Sequence, residues 1–132
     1  MNLAICSLAS SSSGNCHLIK SEKTNIILDC GISVSKITKD LKDLELSVQD
    51  IDAILITHEH SDHIKGLKTL MKKAPNAKVY MTNGTRNEIL KKGELEESRI
   101  LSVFPGEAFE VEEISAYSTS ASASAVSQDA HQ

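Results

Sequence analysis

The amino-acid sequence predicts an α/β fold with layered sheets and helices. Short apolar segments typical of strands alternate along the chain with segments that have the apolar spacing of helices. Residues 51–57 form a continuous apolar run rich in β-branched side chains, which is typical of a strand buried on both faces. Strands of this kind alternating with helices are characteristic of layered α/β domains.

Residue patterns in the first third of the chain predict three strands and one helix. Weak alternation indicates a first strand at 2–8, and the Ser-rich segment 9–15 predicts a loop because it ends in the turn signal Gly14-Asn15. Two further strands, joined by the polar turn 21–24, are expected at 16–20 and 25–29. Apolar residues at helical spacing then predict a helix at 33–44.

After the apolar strand 51–57, the same patterns predict two helices and four strands. The helices are expected at 64–74, which stops at Pro75, and at 85–92, for which Gly93 is the expected C-cap. The strands are expected at 78–82, 100–104, 108–111 and 114–117, the last two as a hairpin. Residues 118–132 are mostly Ser and Ala without a hydrophobic period, so we expect a domain at 1–117 and a disordered tail at 118–132.

Composition narrows the class of protein. The 132 residues are enough for one domain, and a formal net charge of −4 argues against a broadly basic nucleic-acid surface without excluding a local basic patch. No apolar stretch is long enough to cross a membrane and no basic signal-peptide start is present, so we expect a cytoplasmic protein without membrane association. Cys6, Cys16 and Cys30 are odd in number and show no CxxC spacing, which favours reduced, buried cysteines.

The segment directly after the apolar strand carries the chemistry. It contains His58, His60, Asp62 and His63 in the pattern H-x-H-x-D-H. Residues i and i+2 of an extended chain point the same way, so His58 and His60 can reach one metal ion together. Asp62 and His63, at the turn into the next helix, can reach a second ion. Imidazole and carboxylate groups are suitable zinc ligands. The alternative is a polar loop with exposed histidines and Asp62 as an N-cap, which three histidines within six residues disfavour.

The sequence resembles the metallo-β-lactamase superfamily, and within it the WalJ/YycJ-type, exonuclease-like branch. The resemblance covers about residues 1–119 and depends on four motifs: Ser7-Leu8-Ala9-Ser10 through Ser13-Gly14-Asn15-Cys16, Ile27-Leu28-Asp29-Cys30-Gly31, Ile54-Leu55-Ile56-Thr57, and the histidine motif that follows. It implies the N-terminal half of an αββα sandwich, a mixed sheet with helices on one face.

The resemblance also implies roles for single residues. His58 and His60 would bind one ion, and Asp62 and His63 the other. Both ions would be zinc, with manganese as the alternative, and Asp62 would be the catalytic residue that orients the attacking water. Asp29 would be a carboxylate that binds no ion itself but orients the residues that do, a kind of support that metal sites commonly need. Without the resemblance, the residue pattern alone favours Asp29 as a turn residue at a strand end.

Three departures from the branch limit these expectations. Ser11 replaces a glycine, Ala121 follows Ser118-Thr119-Ser120 where the family has a metal-binding His-Asp pair, and the chain ends near the middle of the family's length. We therefore expect a phosphodiester hydrolase acting on DNA whose activity as this chain is weak or absent, or alternatively a non-catalytic metal-binding remnant. His131, in the tail, and His17, on a predicted strand, are expected to be exposed or structural.

Two surfaces are relevant to partners. Lys65, Lys68, Lys72 and Lys73 follow the histidine motif and could contact phosphates, although an ordinary solvated helix face is the favoured interpretation. If the second sheet of the sandwich is missing, one apolar face of the sheet is uncovered. That expectation predicts a marginally stable chain that forms a homodimer through this face or aggregates.

Overall fold

The computed structural model describes residues 3–11, 14–57, 64, 66–93, 95–118 and 123–127. Nine strands lie in this part of the chain: β1 (Ala4–Ser11), β2 (Gly14–Lys20), β3 (Asn25–Leu28), β4 (Ala53–Leu55), β5 (Lys78–Thr82), β6 (Ile100–Val103), β7 (Ala108–Val111), β8 (Ile114–Ser118) and β9 (Ala123–Ser127). Its α-helices are α1 (Val34–Asp43), α2 (Leu67–Lys73) and α3 (Asn83–Leu90), with 3-10 turns at Val48–Asp50 and Glu97–Arg99.

The strands form two sheets. The larger has the order β1-β2-β3-β4-β5-β6, with antiparallel pairing from β1 to β3 and parallel pairing from β3 to β6. The smaller is the antiparallel sheet β7-β8-β9. Each parallel neighbour is reached through a helical crossover, as parallel pairing requires. The mixed α/β architecture predicted from the sequence is confirmed.

Helix α1 shows why these segments fold as predicted. Val34, Ile37 and Leu41 lie at helical spacing and are buried, and the Ser33 side chain accepts a hydrogen bond from the backbone N–H of Lys36 at 3.3 Å. A serine cap satisfies one of the amide donors that the first turn leaves without a partner inside the helix. The helix predicted at 33–44 is therefore present, with Ser33 as its cap.

Strand β4 is buried on both faces, as its unbroken apolar run predicts. Ile54 packs into a core with the helices, which includes Ile37 and Leu70. Ala53 and Leu55 point the opposite way and pack against the smaller sheet. Full burial of one such aliphatic side chain contributes about 1.5–3 kcal/mol, so both layers help to hold β4 in place.

The expectation of an uncovered sheet face was wrong for the centre of the sheet. Val111, Ile114 and Ala116 of the smaller sheet pack on Ile19, Ile26 and neighbouring side chains of the larger one. The short alternating strands of 108–118 supply the cover that we attributed to a missing second half. Ile5 on β1 and Leu101 on β6 remain 70% and 40% exposed at the two edges. A dimer through this face stays a prediction, restricted now to those edges.

Two Ser-rich segments also differ from their expected structure. Within the loop expected at 9–15, Ser10 pairs with Asn15 and Ser11 with Gly14, so the β1–β2 hairpin extends into it. Within the tail expected to be disordered, Ala123–Ser127 forms β9 and pairs with β8. Small polar residues lack the apolar period that reveals a strand, yet their backbone can still bond to a neighbouring edge. The remaining tail residues, including His131, lie outside the described residues.

In the described part of the chain, no helix is long and apolar enough to cross a membrane. The expected cytoplasmic location stays a prediction.

Candidate metal site

The candidate site lies at the carboxyl edge of the parallel strands, where ligand sites of α/β folds commonly lie. Strand β3 ends at Leu28 and β4 at Leu55, and the two chains continue side by side past these ends. The backbone N–H of Asp29 donates to the Leu55 carbonyl at 2.7 Å, and that of Ile56 donates to the Tyr80 carbonyl at 3.0 Å. Asp29 and Thr57 therefore meet at one edge of the sheet.

The carboxylate of Asp29 holds Thr57 through its backbone and its side chain. Asp29 Oδ1 accepts from the Thr57 N–H at 2.8 Å, and the Thr57 hydroxyl lies 3.0 Å from Oδ1 and 2.8 Å from Oδ2. Asp29 is 5% exposed and has a φ of 60°, a left-handed conformation that aspartate tolerates better than most residues. Thr57 immediately precedes His58, so this contact fixes the residue from which the histidine segment begins.

The turn that follows Asp29 also holds the other end of the histidine segment. The backbone N–H of Gly66 donates to the Cys30 carbonyl at 2.7 Å. A Cβ on Gly66 would lie 2.4 Å from the Ile32 carbonyl oxygen, closer than real Cβ contacts, so only glycine fits. Thr57 and Gly66, the residues on either side of 58–65, therefore both bond to the turn 29–32.

A second glycine supports this turn from the opposite side. The N–H of Gly31 donates to the Asn15 carbonyl at 2.8 Å, and a Cβ on Gly14 would lie 2.6 Å from the Gly31 carbonyl oxygen. The sequence indicated Gly14-Asn15 as a turn signal, but the structure places Gly14 in β2 against the Asp29 turn. Sequence reasoning did not identify Gly66 or Thr57 as supporting residues. The only signal for either was its position beside the histidine motif.

The four predicted metal ligands, His58, His60, Asp62 and His63, lie outside the described residues. Their role as ligands therefore stays a prediction, as does the role of Asp29 in supporting them. Among the residues that the structure does describe, no three His, Cys, Asp or Glu side chains come together as a metal-binding group. His17 lies on β2, half-buried, where it pairs with Leu28.

The cysteines near the Asp29 turn are buried thiols. Cys16 and Cys30 are both fully buried, and Cys6 is half-buried. Burial, reinforced by the Asp29 carboxylate, raises the pKa of Cys16 to about 12, and burial raises the pKa of Cys30 well above its ordinary value. A thiol must be deprotonated to act as a nucleophile or metal ligand, so these two side chains serve packing. The sequence-based expectation of buried cysteines is confirmed for Cys16 and Cys30, whereas Cys6 is only half-buried.

Comparison with known proteins decides the family. The model of the metallo-beta-lactamase superfamily matches residues 11–121. The chain belongs to this superfamily. Solved metallo-beta-lactamase structures share its fold: Rm3 superposes with a TM-score of 0.71 at 21% identity, over 92% of this chain and 55% of that one. MEM-A1, a subclass B3 enzyme from a soil metagenome library, gives 0.69 at 20% identity, over 94% and 53%.

Curated relatives within the superfamily match at higher identity over shorter segments. Exodeoxyribonuclease WalJ of Streptococcus pneumoniae serotype 2 is 48% identical over 66 residues, which are 50% of this chain and 24% of that protein. Exodeoxyribonuclease YycJ of Bacillus anthracis is 39% identical over 87 residues, which are 66% of this chain and 33% of the relative. The resemblance to the WalJ/YycJ branch is confirmed. The chain matches about a quarter to a third of the length of these relatives.

Proposed function

We propose that this chain carries the metal site of a hydrolase that cleaves phosphodiester bonds in DNA, with His58 and His60 binding one divalent ion and Asp62 and His63 another. Zinc is the proposed metal, and manganese is the alternative. One observation supports the proposal above the others: the Asp29 turn holds both ends of the segment that carries these four residues. A segment fixed at both ends loses less conformational entropy when its side chains converge on an ion.

The residue types fit this metal chemistry. Three imidazoles and one carboxylate within six residues match the donors that zinc prefers, and they follow a buried strand whose end is fixed. The contact between the Asp29 carboxylate and Thr57 is an indirect support of the kind that metal sites use to orient their ligands.

Each residue has a separate task in the proposed reaction. Bound divalent ions supply positive charge that lowers the pKa of water and stabilises the charge that develops on phosphate oxygens. His58, His60 and His63 hold the ions as neutral imidazoles. Asp62 would bind one ion and would accept a hydrogen bond from the water that attacks phosphorus, and the bond from phosphorus to the leaving sugar oxygen would break as the new one forms. Asp29, through Thr57, positions the first histidine and touches no reacting atom.

The choice of DNA as substrate depends on the relatives. WalJ and YycJ are both named exodeoxyribonucleases. DNA hydrolysis by this chain is therefore the most direct extension of what those proteins are named for.

A second candidate function is metal binding without turnover. Four ligands shared between two ions give two each, whereas catalytic zinc sites use three protein ligands. Ala121 follows Ser118-Thr119-Ser120, where the branch has a further His-Asp pair. On this ground we expect weak metal binding and weak or absent hydrolysis by the 132-residue chain alone.

Metal content and hydrolysis of the full chain test these proposals together. Metal per chain is measured after dialysis against zinc or manganese, in the wild type and in His58→Ala/His60→Ala, with His17→Ala as a control that removes a histidine elsewhere. We expect metal in the wild type and the control and a loss of most of it in the double variant. Unchanged metal in the double variant would show that the motif is not the site.

Hydrolysis is measured on double-stranded DNA and on a small phosphodiester with added manganese. Little or no turnover together with metal binding agrees with the second candidate function. Robust turnover that disappears in Asp62→Ala would establish the hydrolase and refute the view that this chain lacks essential ligands.

A further inference from the structure

Helix α2 differs from the other described helices in its charge. Lys68, Lys72 and Lys73 all lie on it, and it contains no acidic residue. In α1, by contrast, three lysines are accompanied by Asp40 and Asp43, and Lys36 pairs with Asp40 at 2.7 Å. No ion pair within the described residues involves a lysine of α2. A chain of net charge −4 therefore concentrates positive charge on the helix that follows the histidine segment.

The helix itself does not explain all of this charge. Lys72 and Lys73 lie in the last turn, where cations interact favourably with the helix dipole. Lys68 is the second residue of α2, at the end where a cation is unfavourable and an anion is preferred. The stability of α2 therefore does not explain the position of Lys68.

Lys68 and Lys72 line a common cavity. They lie four residues apart on one side of α2, and the cavity between them and the segment 95–99 has a volume of about 150 Å³. Met71 and Leu95 contribute apolar walls, and Arg99 and Glu96 complete the lining. Three cations and one anion give this cavity a net charge of +2.

Arg99 makes the cavity wall rigid. Its guanidinium donates to the carbonyls of Met71 at 2.6 Å, Ala74 at 2.8 Å and Ala77 at 2.7 Å, which ties the wall to the end of α2. These bonds satisfy carbonyls that the helix end leaves open. Arg99 is therefore a structural residue with a fixed charge, whereas Lys68 and Lys72 are exposed and available to a ligand.

The cavity lies close to the candidate metal site along the chain. Gly66, which is bonded to the Asp29 turn, immediately precedes α2, and Lys68 follows two residues later. Lys72 lies one helical turn, about 5–6 Å, further from the site. An anionic polymer that leaves the metal site along α2 would pass Lys68 first and Lys72 next.

We propose that the cavity between α2 and residues 95–99 binds a backbone phosphate of a polynucleotide strand through Lys68 and Lys72. This inference rests on the proposed function for its substrate class, and it adds a phosphate contact on α2 outside the four proposed metal ligands. The phosphodiester backbone is the chemistry recognised, so DNA and RNA strands of one sequence bind alike at this position.

The test is binding of a fluorescein-labelled single-stranded DNA to the full chain, with EDTA present so that metal plays no part. Lys68→Gln/Lys72→Gln is compared with Lys39→Gln/Lys42→Gln, which removes the same charge from exposed positions on α1. We expect binding by the α2 variant to be about five- to tenfold weaker than by the control. The slope of log affinity against log salt should fall by about 0.7, the change expected for the one phosphate that the two lysines no longer neutralise.

A second test removes a negative charge from the cavity instead of positive ones. Glu96→Gln removes the one carboxylate of the cavity and should tighten binding by about twofold. Equal losses in the α2 and α1 variants, an unchanged salt slope, or no binding by the wild type would each overturn the phosphate site.

The hydrolysis assay separates this inference from the proposed function. Turnover by the metal-loaded wild type with no effect of the α2 substitutions would keep the hydrolase and overturn the phosphate site. A specific loss of binding in the α2 variant, with no turnover under any metal, would keep the phosphate site and remove the proposed activity.

Discussion

Two carboxylates at opposite ends of β3 each accept hydrogen bonds from a threonine. Asp29, at the carboxyl end, is 5% exposed and accepts from the backbone and hydroxyl of Thr57 in the neighbouring strand connection. Glu113, near the amino end, accepts from the hydroxyls of Thr24 and Ser21 and belongs to the turn between β7 and β8. The first contact lies within the larger sheet, and the second joins the smaller sheet to it.

Burial makes these two contacts unequal. Asp29 is itself buried, so removal of its carboxylate costs about 1–3 kcal/mol because water does not easily replace the lost acceptor. Glu113 is only half-buried, so water can replace much of its contact, although its partners Ser21 and Thr24 are buried. Asp29 is also followed by a turn that excludes any side chain at Gly66. The carboxyl edge of the larger sheet around Asp29 and Gly66, here called the site edge, should therefore tolerate substitution poorly. The contact between the two sheets at Glu113 should tolerate it well.

The largest effect is expected from Gly66→Ala. The new Cβ would lie 2.4 Å from the Ile32 carbonyl oxygen, a backbone atom that cannot move without displacing the Asp29 turn. We expect a loss of about 3 kcal/mol in the free energy of unfolding, measured by chemical denaturation. Gly84→Ala is the matched control, since its Cβ would meet nothing within 4 Å, and an alanine in helix α3 should stabilise slightly. Equal effects of the two substitutions would contradict a tight site edge.

A smaller effect is expected from Asp29→Ala. The Thr57 N–H and hydroxyl lose their acceptor, and alanine tolerates a φ of 60° less well than aspartate does, so we expect a loss of about 2 kcal/mol. Asp29→Asn keeps an acceptor oxygen and the tolerance for this backbone, and should lose only about half as much. Metal affinity should fall in the same order if Thr57 positions the histidine segment. Lower stability with unchanged metal affinity would restrict Asp29 to the turn itself.

The parts of the fold that the sequence predicted well have a strong apolar period. Val34, Ile37 and Leu41 at helical spacing predicted α1, and the run around Ile54 predicted a strand buried on both faces. Strand β9 was missed because alternating Ser and Ala have no contrast between an apolar and a polar face. The cover of the sheet was missed for a related reason: a hairpin was expected at 108–117, but its packing partner depends on tertiary contacts.

The candidate site could be predicted from residue types but not from geometry. Imidazole and carboxylate groups at ligand spacing are visible in any sequence, and they indicated the segment 58–63. The two glycines that pack against the Asp29 turn could not be predicted in this way. Gly66 and Gly14 matter only through their close approach to a turn that is distant in sequence. A glycine in the sequence indicates conformational freedom or close packing, and only the fold distinguishes the two.

The smallest effect concerns Glu113 and depends on pH. Although partial desolvation opposes it, the hydrogen bonds from Thr24 and Ser21 lower the pKa of Glu113 below its ordinary value. A carboxyl whose pKa is lowered by folding stabilises the fold above its unfolded pKa, near 4.5, and this contribution is lost as pH falls through the folded pKa. Since Glu113 is only half-buried, solvent screens its charge, and we expect at most a few tenths of a kcal/mol.

The variant Glu113→Gln tests this contribution directly, because the amide cannot ionise but can still accept one of the two hydroxyl bonds. The difference in unfolding free energy between wild type and variant should be present at pH 7 and should shrink as pH falls from the unfolded pKa, near 4.5, through the lower folded pKa. If Glu113→Gln lowered the free energy of unfolding as much as Asp29→Ala does, the contact between the two sheets would contribute as much to stability as the contact at the site edge.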